Sequence, residues 1–222
     1  SFPKSKNFLW FSGSSIEVID VAGSKFPTLS KDKSGKSILD PAGKSFTAEM
    51  QLFVPTPTAD RQRAIIFQKT SGSNGISLTL SNGLLANTAS ILFIVNSGSN
   101  SLTASANFPT GTFSHLAAVW NREQGKNILQ LFNNGTLIAT SSKTEIKNID
   151  FATSSLYLGT GPITPTHLFG TPISLQDKGY TFSPNAPFSG AMDELRIFHK
   201  ALKVKEQDKF RTQNISTSPD LK

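Results

Sequence analysis

His115, His167 and His199 are the three imidazoles of the 222-residue chain, and no motif links them. His115 falls inside a strand-like run, where a hydrogen-bonded structural role is expected rather than that of a catalytic base. Cysteine is absent, which removes disulfides, thiolate metal sites and thiolate nucleophiles together. Asp193 and Glu194 are adjacent, and neighbours in a strand face opposite sides. They therefore cannot form the facing carboxylate pair that glycoside hydrolysis uses. Gly35-Lys36-Ser37 and Gly43-Lys44-Ser45 look like the tail of a phosphate loop, but the glycine required five residues earlier is Ser30 or Ile38. Both read as lysine-rich turns. Catalysis is not expected.

Binding has better candidates. A flat sugar-binding surface needs exposed aromatic faces and polar side chains for the hydroxyls. Phenylalanine, at 17 residues against two Trp and two Tyr, belongs mostly to a core. Tyr180 is the leading aromatic candidate, in a proline-rich stretch over 160–187 that also holds His167, Gln176, Asp177 and Lys178. Trp10, on the outward phase of its strand, joins them as a ligand-binding candidate. Trp120 alternates with Leu116 and Ala118 and is expected to pack inside. The alternative reading of 160–187 is a flap over a sheet edge. Lys25, Lys31, Lys33, Lys36 and Lys44 cluster in the loop-like 21–45. They either attract an anionic polymer or form a solvated surface. No aromatic-basic strand motif or groove-reading helix points to nucleic acid. Asn134-Gly135-Thr136 and Asn214-Ile215-Ser216 read as glycosylation sequons, the first with a competing explanation as a hairpin turn.

These residues must be positioned by strands. Short apolar runs, rich in Phe, Ile, Leu, Val and Thr, are separated by Gly, Asn, Ser and Pro clusters. Strands are expected near 8–11, 15–20, 46–54, 63–69, 75–81, 90–95, 101–106, 113–121, 127–133, 136–141, 155–158 and 188–199, with one helix near 202–211. Asn74-Gly75, Asn82-Gly83 and Asn134-Gly135 supply the positive φ that type I′ hairpins require. The absence of strand-helix alternation predicts two antiparallel sheets packed face to face. Charged residues are 17% of the chain, too few for a disordered segment or coiled coil, and 22 basic against 15 acidic side chains give +7. No apolar run approaches the ~18–20 residues of a membrane span, so no membrane insertion is expected. The reading is one domain over 1–222 with a core of about 8–210. The start at Ser1 reads as a processed or excised piece.

Four blocks carry a family resemblance. Phe8-Leu9-Trp10-Phe11-Ser12-Gly13-Ser14-Ser15-Ile16-Glu17-Val18 resembles the opening strand of laminin-G-like domains, and Phe46-Thr47-Ala48-Glu49-Met50-Gln51-Leu52-Phe53-Val54 resembles their Phe-Thr-(apolar)-Glu strand. Phe113-Ser114-His115-Leu116-Ala117-Ala118-Val119-Trp120, followed by Leu129 to Gly135, is similar to the histidine strand and Asn-Gly hairpin. Leu156-Tyr157-Leu158-Gly159 and Phe188-Ser189-Gly190-Ala191-Met192-Asp193-Glu194-Leu195-Arg196-Ile197-Phe198 match the last strands, and Ala201-Leu202 opens the tail helix. The resemblance implies an all-β fold, an antiparallel jelly-roll β-sandwich of the concanavalin A-like kind with a short C-terminal helix, whose first and last strands pair. It also implies a structural calcium at Asp193 and the aspartate of the opening motif. That second position is Ser12 here, which leaves Asp20 or carbonyls to compensate, so the expectation is no cofactor, with calcium as the alternative. The Glu-x-Asp-x-Glu strand of the superfamily's glycosidases is missing. The implied role is a non-catalytic, lectin-like recognition domain, extracellular or on the cell surface, that binds glycan or cell-surface polysaccharide as the adhesin tip of a larger surface or fibre protein. Two alternatives stand beside it. One is a structural interaction or oligomerisation module contacting other domains or subunits through 160–187 and a Trp10/Phe198 face. The other is a polysaccharide lyase or glycosidase.

Overall fold

Strands whose apolar side chains recur at every second residue bury one face each, so they must close two sheets on one another. The computed structural model has that form. It describes residues 8–18, 39–56, 64–71, 74–81, 88–98, 100–143, 145–149, 151, 154–159, 173–175, 180–182 and 187–212. Sheet A runs in the order β1 (Leu9–Ser12), β14 (Ser189–Phe198), β3 (Phe46–Phe53), β8 (Phe113–Asn121), β9 (Asn127–Asn133) and β10 (Thr136–Lys143). Sheet B runs β2 (Ile16–Val18), β11 (Leu156–Leu158), β4 (Ala64–Ser71), β5 (Asn74–Ser81), β6 (Thr88–Ser97) and β7 (Asn100–Pro109). A separate pair joins β12 (Ile173–Leu175) to β13 (Tyr180–Phe182), and helix α1 (Val204–Arg211) follows β14. Neighbouring strands are antiparallel, and the first strand pairs with the last, as the resemblance implied.

The core lies between the sheets. Ala48, Met50 and Leu52 of β3, Leu116, Ala118 and Trp120 of β8, and Leu129 and Leu131 of β9 share one cluster with Ile76, Leu78 and Leu80 of β5 and Ile91, Phe93 and Val95 of β6. A buried side chain of this size contributes about 1.5–3 kcal/mol over its exposed state, so this seam dominates stability. Trp120 is fully buried, and its indole N–H donates to Asn127 Oδ1 at 3.2 Å. The Asn127 amide in turn donates to the Ile146 carbonyl at 3.0 Å.

Several local expectations are corrected. Asn134 and Gly135 turn the β9–β10 hairpin with φ of 51° and 81°, but Asn74-Gly75 opens β5 instead of turning: Gly75 is paired with both Thr70 and Asn96. Asn82-Gly83 lies outside the described residues. The stretch 160–187, read as loop, holds β12 and β13, each only three residues long and too short to show alternation. Helix α1 begins at Val204 rather than 202 because Lys203 is extended, with ψ of 158°. Leu9 shares the phase of buried Phe11 but is exposed, since β1 is the edge of sheet A. Gly190 is required for close approach: a Cβ there would meet the Phe53 carbonyl oxygen at 2.5 Å. The irregularity lies between Asp193 and Arg196, where Glu194 takes φ of 55°.

Candidate functional site

Side chains that alternate out of the core line the outer face of sheet A in rows set by register. Because Phe11 is buried in the core, Trp10 points outward from β1. The register then aligns Trp10 with Ala191 of β14, Phe53 of β3 and Phe113 of β8. Ala191 is too small to separate its neighbours, so the Trp10 and Phe53 rings stand 5.9 Å apart, and Phe53 stands 5.4 Å from Phe113. Phe8, just before β1, closes a square of four rings, 5.5 Å from Phe113 and 6.4 Å from Trp10. Neighbouring rings in the square are tilted by 36–59°. Trp10 is 54% exposed and Phe8 48%, while Phe53 and Phe113 are half-buried. Aromatic pairs at such distances are worth about 0.5–1.5 kcal/mol beyond burial, which holds the exposed rings in place.

The next row is polar. Asp193, Gln51 and His115 are aligned across β14, β3 and β8. Asp193 Oδ1 accepts from the Glu194 amide at 2.9 Å. His115 is buried, and its Nε2 stands 3.5 Å from Glu49 Oε2, with neither ring nitrogen in a hydrogen bond among the described residues, where a hydrogen-bonded structural histidine was expected. Its backbone N–H donates to Asn134 Oδ1 at 3.0 Å, so the first sequon's asparagine is engaged in the hairpin. Beyond this row, Arg196 bridges Glu194 Oε2 at 2.7 Å and the fully buried Glu49 at 3.5 Å, and donates to the Phe210 carbonyl at 3.0 Å.

The far end of the face is covered by the segment leading into α1 and by α1 itself. Thr47 Oγ1 donates to the Lys200 carbonyl at 2.7 Å and accepts from the Leu202 amide at 3.1 Å. Phe198 packs on Phe210 with rings 5.0 Å apart. Trp10 and Phe198 thus lie at opposite ends of one face and form no common patch, which corrects the Trp10/Phe198 contact surface expected from the sequence.

Sheet B carries a second polar row on its outer face. Glu17, Tyr157, Gln68 and Ser77 are aligned across β2, β11, β4 and β5. The Tyr157 hydroxyl donates to Glu17 Oε1 at 2.9 Å. Hydrogen bonds from Ser155 and Tyr157 hold the Glu17 carboxyl below its ordinary pKa, and the same contact with Glu17 raises that of Tyr157. Gln68 is buried with its amide oxygen unpaired, as is that of Asn96 on β6.

Of the residues singled out in the sequence, Trp10 stands in the aromatic square. Tyr180 lies in β13, its side chain outside the described residues, as are His167, Gln176, Asp177, Lys178 and Asp20. Of the calcium candidates, only Asp193 is among the described residues. Ser12 is opposite Ser189, four residues from Asp193 and about 13 Å along the strand. Among the described residues no group of three or more His, Cys, Asp or Glu could hold a metal ion. Phe53 and Phe113 were missed because phenylalanine was assigned to the core. The signal was available, since both fall on the opposite phase from Ala48-Met50-Leu52 and Leu116-Ala118-Trp120.

A family model described as the concanavalin A-like lectin/glucanases superfamily matches residues 33–206, so Trp10 precedes the matched span. No curated protein matches the chain. Among solved structures, the CBM40 of the Ruminococcus gnavus IT-sialidase, bound to α2,3-sialyllactose, is 16% identical. It aligns over 94% of this chain and 97% of its own, with a TM-score of 0.55. A heptameric SAP-like pentraxin from Limulus polyphemus is 18% identical over 79% of this chain and 74% of its own, with a TM-score of 0.51. A botulinum neurotoxin type C structure, whose cell entry depends on two ganglioside molecules, is 15% identical. It covers 76% of this chain and 35% of its own, with a TM-score of 0.51. At these identities the likeness is one of fold.

Proposed function

Because the chain belongs to the concanavalin A-like lectin/glucanases superfamily, we propose that it is a non-catalytic recognition domain that binds glycan outside the cell, as the adhesive tip of a larger surface or fibre protein. The observation that carries this reading is the aromatic square, with Trp10 54% exposed on a rigid sheet. A contiguous cluster of large apolar side chains left open to water marks a binding surface, and aromatic faces stack on the apolar faces of sugar rings. The polar row beside the square supplies groups for hydroxyls. Sugar binding by the CBM40 neighbour supports the same reading by analogy of fold, which sets a prior without fixing a site. The non-catalytic part rests on the carboxylates that the sheet brings together. Glu49 and Glu194 both hold Arg196, and Glu49 is fully buried, so neither flanks an open cleft as a hydrolase pair does.

The test is a glycan array followed by titration calorimetry, with parallel incubation against glucans and uronic-acid polymers. The expected outcome is saturable binding to at least one glycan class with no sugar released from any polymer. Product release, or silence on every glycan, overturns the reading.

A further inference from the structure

We infer that the glycan bound at the aromatic square is an uncharged hexopyranose oligosaccharide taken as a single chain, rather than a sialylated or uronic-acid glycan. This deepens the glycan reading and rests on it. The row next to the rings decides the charge of the ligand. Asp193 and Gln51 lie one step along β14 and β3 from Ala191 and Phe53, on the same face, which places them about 7 Å from that row. The second oxygen of Asp193 and the Gln51 amide carry no hydrogen bond among the described residues. Together they present a carboxylate acceptor and an amide that donates and accepts, the groups that sugar hydroxyls pair with.

An acidic sugar needs a cation there, and among the described residues the row of Asp193, Gln51 and His115 holds no lysine or arginine. Arg196, the nearest cation of that face by register, is engaged by Glu194, by Glu49 and by the Phe210 carbonyl. A sialate or uronate seated on the rings would instead meet Asp193, and like charges brought together in a partly dry site disfavour binding.

The rings decide the form of the ligand. Their centroids are 5.4–6.4 Å apart around the square, of the order of one sugar unit, so neighbouring units of a chain each find a ring. Their mutual tilt makes the surface a broken trough and not a plane, which suits one twisted chain and not the flat face of a crystalline polysaccharide.

The experiment titrates the full chain with cellohexaose, maltoheptaose, chitohexaose, α2,3-sialyllactose and a hexagalacturonate, using wild type, W10A, Q51A and D193R. The expected result is that at least one of the three uncharged oligosaccharides binds. W10A weakens it tenfold or more, Q51A weakens it severalfold, and D193R moves selectivity tenfold toward the two acidic probes. Circular dichroism and thermal melting confirm that each variant folds; if D193R does not, D193N takes its place, with a smaller shift in the same direction expected. Acidic probes bound in preference to uncharged ones by wild type overturn the inference and leave the glycan reading standing. Uncharged binding unchanged in W10A does the same, because the site is then elsewhere. No binding to any probe, with self-association on concentration that W10A abolishes, overturns both and makes the square a contact between copies of this chain.

Discussion

Trp10 and Trp120 have opposite environments, although each lies in a strand of sheet A. Trp120 is fully buried, with its N–H satisfied by Asn127 and the Arg122 guanidinium over its ring at 4.6 Å. That contact is made in a setting dry enough to lower the Arg122 pKa by desolvation. Trp10 rests on Phe53 with more than half of its surface open. Truncation therefore separates the two roles. W120A leaves a large cavity and removes the hydrogen bond to Asn127, and is expected to cost about 3–5 kcal/mol. W10A loses only its ring pairs with Phe8 and Phe53, about 0.5–1.5 kcal/mol each, and should cost clearly less than W120A. Urea denaturation of the two variants checks this. A W10A loss as large as that of W120A would mean that the aromatic square is structural.

Helix α1 is held to sheet A by its lead-in segment and by a local charge arrangement at its start. The Lys203 amide donates to Glu206 Oε2 at 2.9 Å, and the Lys200 ammonium contacts the other carboxylate oxygen. The Lys200 contact, with the Lys203 amide adding to it, holds the Glu206 carboxyl below its ordinary pKa. A carboxylate whose pKa is lowered by folding contributes stability above its unfolded pKa and loses it as the pH falls through the folded value. E206Q is expected to lower the melting temperature by about 1–3 °C at pH 7, as for an exposed pair in a domain of this size. The gap to wild type should close on the acid side of the carboxylate range, which melting curves across pH will read. A gap that persists in acid would place the effect in packing rather than charge. The same helix and lead-in cover Phe198, whose ring packs on Phe210, and the Phe210 carbonyl accepts from Arg196.

At the scale of the molecule the chain carries +7, yet the row beside the aromatic square holds Asp193 and no unengaged cation. Two kinds of binding are thereby distinguished by salt. Stacking and hydrogen bonding to an uncharged sugar should leave affinity nearly flat between about 50 and 500 mM salt, whereas attraction to the lysines is screened as the Debye length shrinks. Titration of the best oligosaccharide at several salt concentrations reads this directly. A tenfold loss at high salt would transfer the site to the lysine-rich 21–45.

Strand identity was legible in the sequence because it follows from side-chain periodicity, whereas the pairing of first with last came only as an implication of the family resemblance. The run Ile91-Leu92-Phe93-Ile94-Val95, expected only as a strand, is buried on both faces. The outward phase of Trp10 was legible for the same reason. Its neighbours were not, because periodicity tells which face a side chain takes and not which strand lies beside it. Only the closed sheet orders β1, β14, β3 and β8 next to one another, bringing Phe53 and Phe113, 43 and 103 residues further along the chain, into one patch with Trp10. The bulge after Asp193 was equally hidden: Glu194 is left-handed where the β14–β3 register shifts, and no local preference of glutamate predicts it.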